Sequence, residues 1–171
     1  MISWKWSAAA AAAAMAVGLV AGVTIGPAIT AKPQPAAAVV AQARTESATV
    51  DNIEQIGDTG RAYVDMPTPG PTVTVNVGPS RRVLVILSAH LSGRHPGAMS
   101  VEVSGASAIR ASDVRGLTPR LDGGTGSFTI LLTAADGLRE GPNVFAAKYR
   151  SVESGDHALV AGARNITVIP L

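Results

Sequence analysis

Thr72-Val73-Thr74-Val75-Asn76-Val77, then Gly78-Pro79-Ser80, then Arg82-Val83-Leu84-Val85-Ile86-Leu87-Ser88-Ala89-His90-Leu91 decide the fold class of this chain. In the first run the valines alternate with Thr and Asn. A period of two puts them on one face of a half-buried strand. Gly-Pro-Ser breaks the run. In the second, Val83, Val85, Leu87, Ala89 and Leu91 share one face while Leu84 and Ile86 occupy the other. Apolar residues on both faces predict a strand central in its sheet and buried on both sides.

The same grammar continues toward the C-terminus. Met99, Val101 and Val103 alternate with Ser100, Glu102 and Ser104, and a weaker extended stretch is expected over 107–112. Residues 122–126 form a glycine-rich turn. Phe128, Ile130 and Leu132 mark a further strand, 134–142 a loop, and Phe145, Ala147 and Tyr149 one face of another strand. Two closing segments follow, 158–163 and 165–171. Because apolar alternation runs to Leu171, the C-terminus is expected to be a paired strand. Six to eight short strands separated by Gly, Pro and Asp turns predict an all-β fold, an antiparallel β-sandwich, over residues 62–171.

The N-terminus reads differently. Residues 6–31 carry no charge, and the apolar stretch 7–29 is long enough to cross a hydrocarbon core of roughly 30 Å as a helix. Lys5 precedes it, Trp4 and Trp6 flank it, and small residues at 28–30 and 36–38 offer cleavage sites. Residues 1–31 are therefore a signal peptide or an uncleaved signal anchor, with the membrane as partner in the second case. Either places the later residues outside the cytoplasm, secreted or anchored. Residues 32–61 hold Pro33, Pro35, an alanine run and a polar stretch, and read as a flexible spacer.

Composition narrows the function. The chain has 171 residues, a net charge of +2 and no cysteine, which excludes disulfides, a thiol nucleophile and a lipidated cysteine. From Arg61 onward, ten of the eleven cations are arginine. Arginine suits bidentate anion contacts and an anionic envelope, although Ala-, Gly- and Arg-rich composition is also what a GC-rich genome encodes. No basic run is interleaved with aromatics, so nucleic acid is not an expected partner.

No chemistry-bearing pattern emerges. His90, His95 and His157 have no zinc-site spacing, no Gly-x-Ser-x-Gly elbow occurs, and 122–126 lacks the acidic ladder of a calcium loop. The sequence implies no enzyme, cofactor or metal. Asn165-Ile166-Thr167 matches a glycosylation acceptor, but in an expected strand and a bacterial-type composition. The loops at one end of the sandwich supply candidate contact residues: Arg94, His95, Arg115, Arg120, Asp136, Arg139 and Glu140. Tyr149 joins them as a ring that, if exposed beside Arg150, would stack on a sugar, although it is more economically assigned, with Phe128 and Phe145, to the core.

Gly70-Pro71-Thr72-Val73-Thr74-Val75, Arg82 to Ala89 as quoted above, Met99-Ser100-Val101-Glu102-Val103-Ser104-Gly105, Ala146-Ala147-Lys148-Tyr149-Arg150 and Ala163-Arg164-Asn165-Ile166-Thr167-Val168-Ile169-Pro170-Leu171 together resemble a small C-terminal β-domain of actinobacterial exported proteins and related phage tail-fibre proteins. The resemblance covers roughly 61–171. It implies a non-enzymatic structural, adhesion or surface-binding module, often a homo-oligomer, with a ligand on the cell envelope or surface. The export segment and the lack of a repetitive shaft depart from the fibre setting. A carbohydrate- or wall-binding accessory domain is the alternative.

Overall fold

Nine antiparallel strands account for most of the residues described by the computed structural model, which are 44–92, 97–118, 123–151 and 158–171. They are β1 (Glu46–Val50), β2 (Glu54–Ile56), β3 (Thr72–Val77), β4 (Val83–Ser92), β5 (Ala98–Gly105), β6 (Gly116–Leu117), β7 (Gly124–Leu132), β8 (Gly141–Arg150) and β9 (Leu159–Pro170). Single 3₁₀ turns stand at Asp113–Arg115 and Ala134–Asp136. The expected N-terminal helix at 7–29 lies outside the described residues. Among the described residues no helix is long and apolar enough to cross a membrane.

The strands form two sheets. One runs β1-β9-β4-β7, with β2 also paired to β9, and the other runs β3-β8-β5-β6. Treating β1 and β2 as one interrupted strand, the described strands form a long hairpin folded on itself. β1/β2 pairs β9, β3 pairs β8, β4 pairs β7 and β5 pairs β6. Nested pairing of early with late strands, split over two sheets, is the jelly-roll form of the β-sandwich. The expected sandwich is therefore present, with a topology that alternation alone does not specify.

Why these segments are strands follows from their inward faces. Val73, Val75 and Val77 of β3, Met99, Val101 and Val103 of β5, and Phe145, Ala147 and Tyr149 of β8 oppose Val83, Val85, Leu87, Ala89 and Leu91 of β4, Leu132 of β7, and Ile166 and Val168 of β9. β-Branched and leucine side chains fill the space between two sheets without disulfides. β4 is central, as expected, lying between β9 and β7. Burial on both sides does not hold: Leu84 and Ile86 are only half-buried, on the outer face.

Three further differences have physical causes. The fold begins before residue 62. The stretch 46–56, read as spacer, holds β1 and β2, which pair with β9 from Glu46 opposite Val168 to Ile56 opposite Leu159. Edge strands are held by backbone bonds to one neighbour, so their polar side chains carry little signal. The two expected closing segments are one strand with a bulge. Ser88 of β4 faces Asn165 whereas His90 faces Gly162, so β9 carries one extra residue there. Ala163 takes the left-handed conformation (φ 46°) at that point, and the inward phase switches from Leu159 and Ala161 to Arg164, Ile166 and Val168. The stretch 107–112 does not form a strand, and within it Ile109 alone bridges Val103. The C-terminal strand is paired to its end, with Leu171 N donating to Arg82 O at 3.0 Å.

Candidate interaction face

Each sheet has an outer face, and the two differ in kind. Side chains of residues paired across antiparallel strands stand on the same face, so the registers define the outer face of the larger sheet row by row. Leu84 lies between Leu131 and Ile169. Ile86 lies between Thr129 and Thr167, and Thr167 faces Ser47 beyond it. Ser88 lies between Ser127 and Asn165, which faces Thr49. His90 faces Thr125.

None of the side chains in these rows is Lys, Arg, Asp or Glu, in a chain with fourteen cations and twelve anions. The first charge met along β4 is Arg82, just before the strand. Hydrocarbon dominates one end: Leu131 is 44% exposed and Leu171, at the rim, 54%. At the other end Ile53, 79% exposed, stands against the backbone of Gly162, where an added Cβ would lie 3.0 Å from its Cγ1. Between the ends runs a hydroxyl and amide field. Ser47 Oγ and Thr167 Oγ1 are 2.9 Å apart. Asn165 Nδ2 donates to Thr49 Oγ1 at 2.8 Å and to Ala48 O at 3.1 Å, and Thr167 Oγ1 donates to Asn165 Oδ1 at 3.2 Å. These bonds fix the rotamers of the field before anything touches it.

The outer face of the smaller sheet is ionic at its Glu102–Lys148–Arg150 end and partly covered there, whereas its Thr74–Val144–Ser104 and Asn76–Pro142 rows carry no charge. Lys148 Nζ on β8 sits 2.8 Å from Asp65 Oδ2 and 3.7 Å from Glu102 Oε1. Arg150 Nε donates to Asp113 Oδ1 at 2.6 Å, and its guanidinium lies 5.7 Å from the Tyr63 ring centroid. Tyr63 OH donates to the same carboxylate at 2.8 Å. Burial, and then the Asp113 carboxylate, push the Tyr63 phenol up to about 12. Beneath this cluster the buried Ser100 hydroxyl donates to the carbonyls of Ser112 and Arg115 and accepts from Ser112 N at 3.1 Å, pinning the 112–115 turn to β5.

Between the sheets Arg164 is wholly buried by the β9 bulge. Its Nη2 is 3.1 Å from Glu54 Oε2, its Nη1 donates to Thr68 O at 3.2 Å, and its guanidinium lies 5.6 Å from the Tyr149 centroid. Thr68 N donates to both Glu54 oxygens at 3.1 Å. Hydrogen bonding from Thr68, aided by Arg164 against the cost of desolvation, holds the Glu54 carboxyl below its ordinary value. The arrangement is a clamp joining β2, the 66–70 segment and the core.

Of the described candidates from the sequence, Asp136, Arg139 and Glu140 share the stretch 134–140 before β8, and Arg115 and Tyr149 lie on other elements. Arg94, His95 and Arg120 lie outside the described residues, as does His157. Arg115 is half-buried in the turn, donating through Nη2 to Arg110 O at 3.0 Å. Arg139 is exposed in the loop before β8, with its backbone N bonded to Ser107 Oγ. Asp136 caps the turn at Ala134–Asp136 through Thr133, and Glu140 is exposed. Tyr149 is not available for contact: it is 0% exposed, and its hydroxyl donates to Gly70 O at 3.2 Å. Its phase puts it with Phe145 and Ala147 in the core, so Tyr149 does not lie exposed beside Arg150. Among the described residues no three metal-ligating side chains cluster, and the His90 ring meets Thr125 Oγ1 at 3.4 Å with no carboxylate behind it. The uncharged face was visible in the sequence only as apolar residues out of phase, Leu84, Ile86, Leu131 and Ile169. Only the registers bring them together.

No protein-family model matches the chain, and no curated protein does. Solved structures similar to it include that of the Gx strain of infectious bursal disease virus, at 14% identity and TM-score 0.44, covering 76% of this chain and 32% of that one. The VP2 subviral particle of infectious bursal disease virus is similar at 10% identity and TM-score 0.41, covering 76% and 33%. The Gt strain structure is similar at 10% identity and TM-score 0.39, covering 76% and 32%. The chain thus spans about a third of the length of these viral chains.

Proposed function

We propose that this chain is a non-enzymatic β-sandwich module with a structural or surface-contact role outside the cytoplasm, exported or tethered through residues 7–29, and that it works through the uncharged outer face of its larger sheet. The observation that carries this reading is the contrast between two outer faces of one sandwich. One carries ion pairs at one end, Lys148 with Asp65 and Glu102 and Arg150 with Asp113 of the 112–115 turn. The other presents apolar and hydroxyl side chains in register and no ions. An extended uncharged patch with exposed Leu and Ile costs solubility unless it meets a partner. The carbohydrate-binding alternative is weaker, because Tyr149 is core and Tyr63 is bonded to Asp113 beneath Arg150.

Retention of the full chain on a washed cell-envelope fraction, in enough mild detergent to release the 7–29 segment from lipid, tests this reading. Leu131→Glu, which places a charge on the face, should lower retention about tenfold, a change of about 1.4 kcal/mol. Thr74→Glu, on the opposite outer face, should leave it unchanged. Equal retention of both variants and the parent would overturn the reading.

A further inference from the structure

We propose that the partner of this face is a second copy of the same chain, packed sheet against sheet across a two-fold axis. The inference rests on the contact role assigned to the face above and names its occupant.

The chemistry of the face selects the partner. In a two-fold contact the same patch meets itself, so a patch dominated by one sign of charge meets that sign again. This face has no Lys, Arg, Asp or Glu in its rows, and so carries no such penalty. Its polar groups are Ser, Thr, Asn and a histidine ring, each able both to donate and to accept. A field of such groups can complete hydrogen bonds with an identical field, which a patch of carboxylates or guanidiniums cannot do. A charged polymer would find no ion here to pair with. A sugar would find no Phe, Tyr or Trp ring in the rows from Leu84 to His90, Phe128 being in the inward phase of β7.

Size is adequate for a specific but reversible contact. Four strands about 4.8 Å apart, each contributing about eight residues at roughly 3.3 Å, make a face of roughly 500 Å² per copy. About 1,000 Å² for the pair is the lower bound for a specific interface. Leu84, Leu131 and Ile169 supply the apolar anchor and Ile53 a second contact at the far end. Sheets packed this way sit about 10 Å apart, a distance that side chains of this size fill. Tethering both copies to one membrane would raise their effective concentration, so a weak face suffices.

Sedimentation of the full chain in mild detergent over a concentration series tests the proposal. The parent and Thr74→Glu should show a concentration-dependent monomer–dimer equilibrium. Leu131→Glu and, independently, Thr129→Lys should weaken it at least about tenfold while keeping the parent's circular dichroism. A parent that stays monomeric throughout overturns the second copy as partner. In that event, loss of envelope retention by Leu131→Glu would still uphold the contact role of the face, so the two failures are separable. A dimer indifferent to both substitutions also overturns the proposal, because it would use another surface.

Discussion

Arg164 and Glu54 meet at 3.1 Å only because Ala163 bulges out of β9 and turns the next residue inward. A regular strand would carry the Leu159–Ala161 phase onward and leave position 164 in solvent. The bulge therefore converts an edge segment of polar sequence, 54–68, into part of the fold.

Arg164→Ala should destabilise the protein by about 3 kcal/mol, since it empties a buried site and orphans Thr68 O. Ala163→Gly should act in the opposite direction. Ala163 is exposed, so relieving its left-handed backbone loses no packing and should add about 0.5 kcal/mol after the entropic cost of glycine. Denaturant unfolding of both variants checks the pair of signs.

Asn143 is fully buried, and its amide serves three backbone groups: it accepts from Ser107 N at 2.8 Å and donates to Arg139 O and Gly141 O, both at 2.9 Å. Asn143→Ala should cost about 3 kcal/mol by leaving those groups unpaired. Asn143→Asp should be nearly as damaging, because a carboxylate cannot donate. Thermal unfolding would show both transitions lowered by a similar amount.

Gly105 ends β5 at φ 96°, and a Cβ there would stand 2.6 Å from the carbonyl oxygen of Pro142. Gly105→Ala combines backbone strain with a clash against backbone, and should cost about 2 kcal/mol or more. Gly57→Ala, with nothing within 4 Å of its added carbon, is the control. A Gly105→Ala protein as stable as the parent would contradict the β5–β8 geometry.

Both tyrosines of the chain should resist ionisation. Tyr63 is pushed up to about 12 from an ordinary 10.0, and burial raises Tyr149 further. An acid whose folded value is raised favours the neutral form, so this stability is complete below pH 10.0 and is lost as pH climbs toward about 12. Phenolate absorbance should stay flat through pH 10.0 and then rise together with unfolding. Glu54 works at the acid end. Its carboxyl is held below 4.5, so its contribution is present above that value and is lost as pH falls through the folded one. Glu54→Gln should flatten that part of the acid unfolding profile.

Alternation in 72–77, 83–91 and 99–103 was enough to assign strands, an antiparallel all-β class and a paired C-terminus, because side-chain period reports directly on which face is buried. Sequence alone also placed β4 at the centre of a sheet, and the uncharged 7–29 stretch belongs to that reading too. The tertiary structure decided what depends on pairing. Edge strands β1 and β2 are held by backbone bonds that leave no hydrophobic period. Arg164 is buried by a one-residue bulge that no composition marks. The alternation of Phe145, Ala147 and Tyr149 already turned Tyr149 inward, and only the register shows that it stands opposite Met99. The uncharged face exists only where β1, β9, β4 and β7 lie side by side. Residues as distant as Ser47 and Thr167 meet there, and no local pattern encodes a surface assembled from four separate strands.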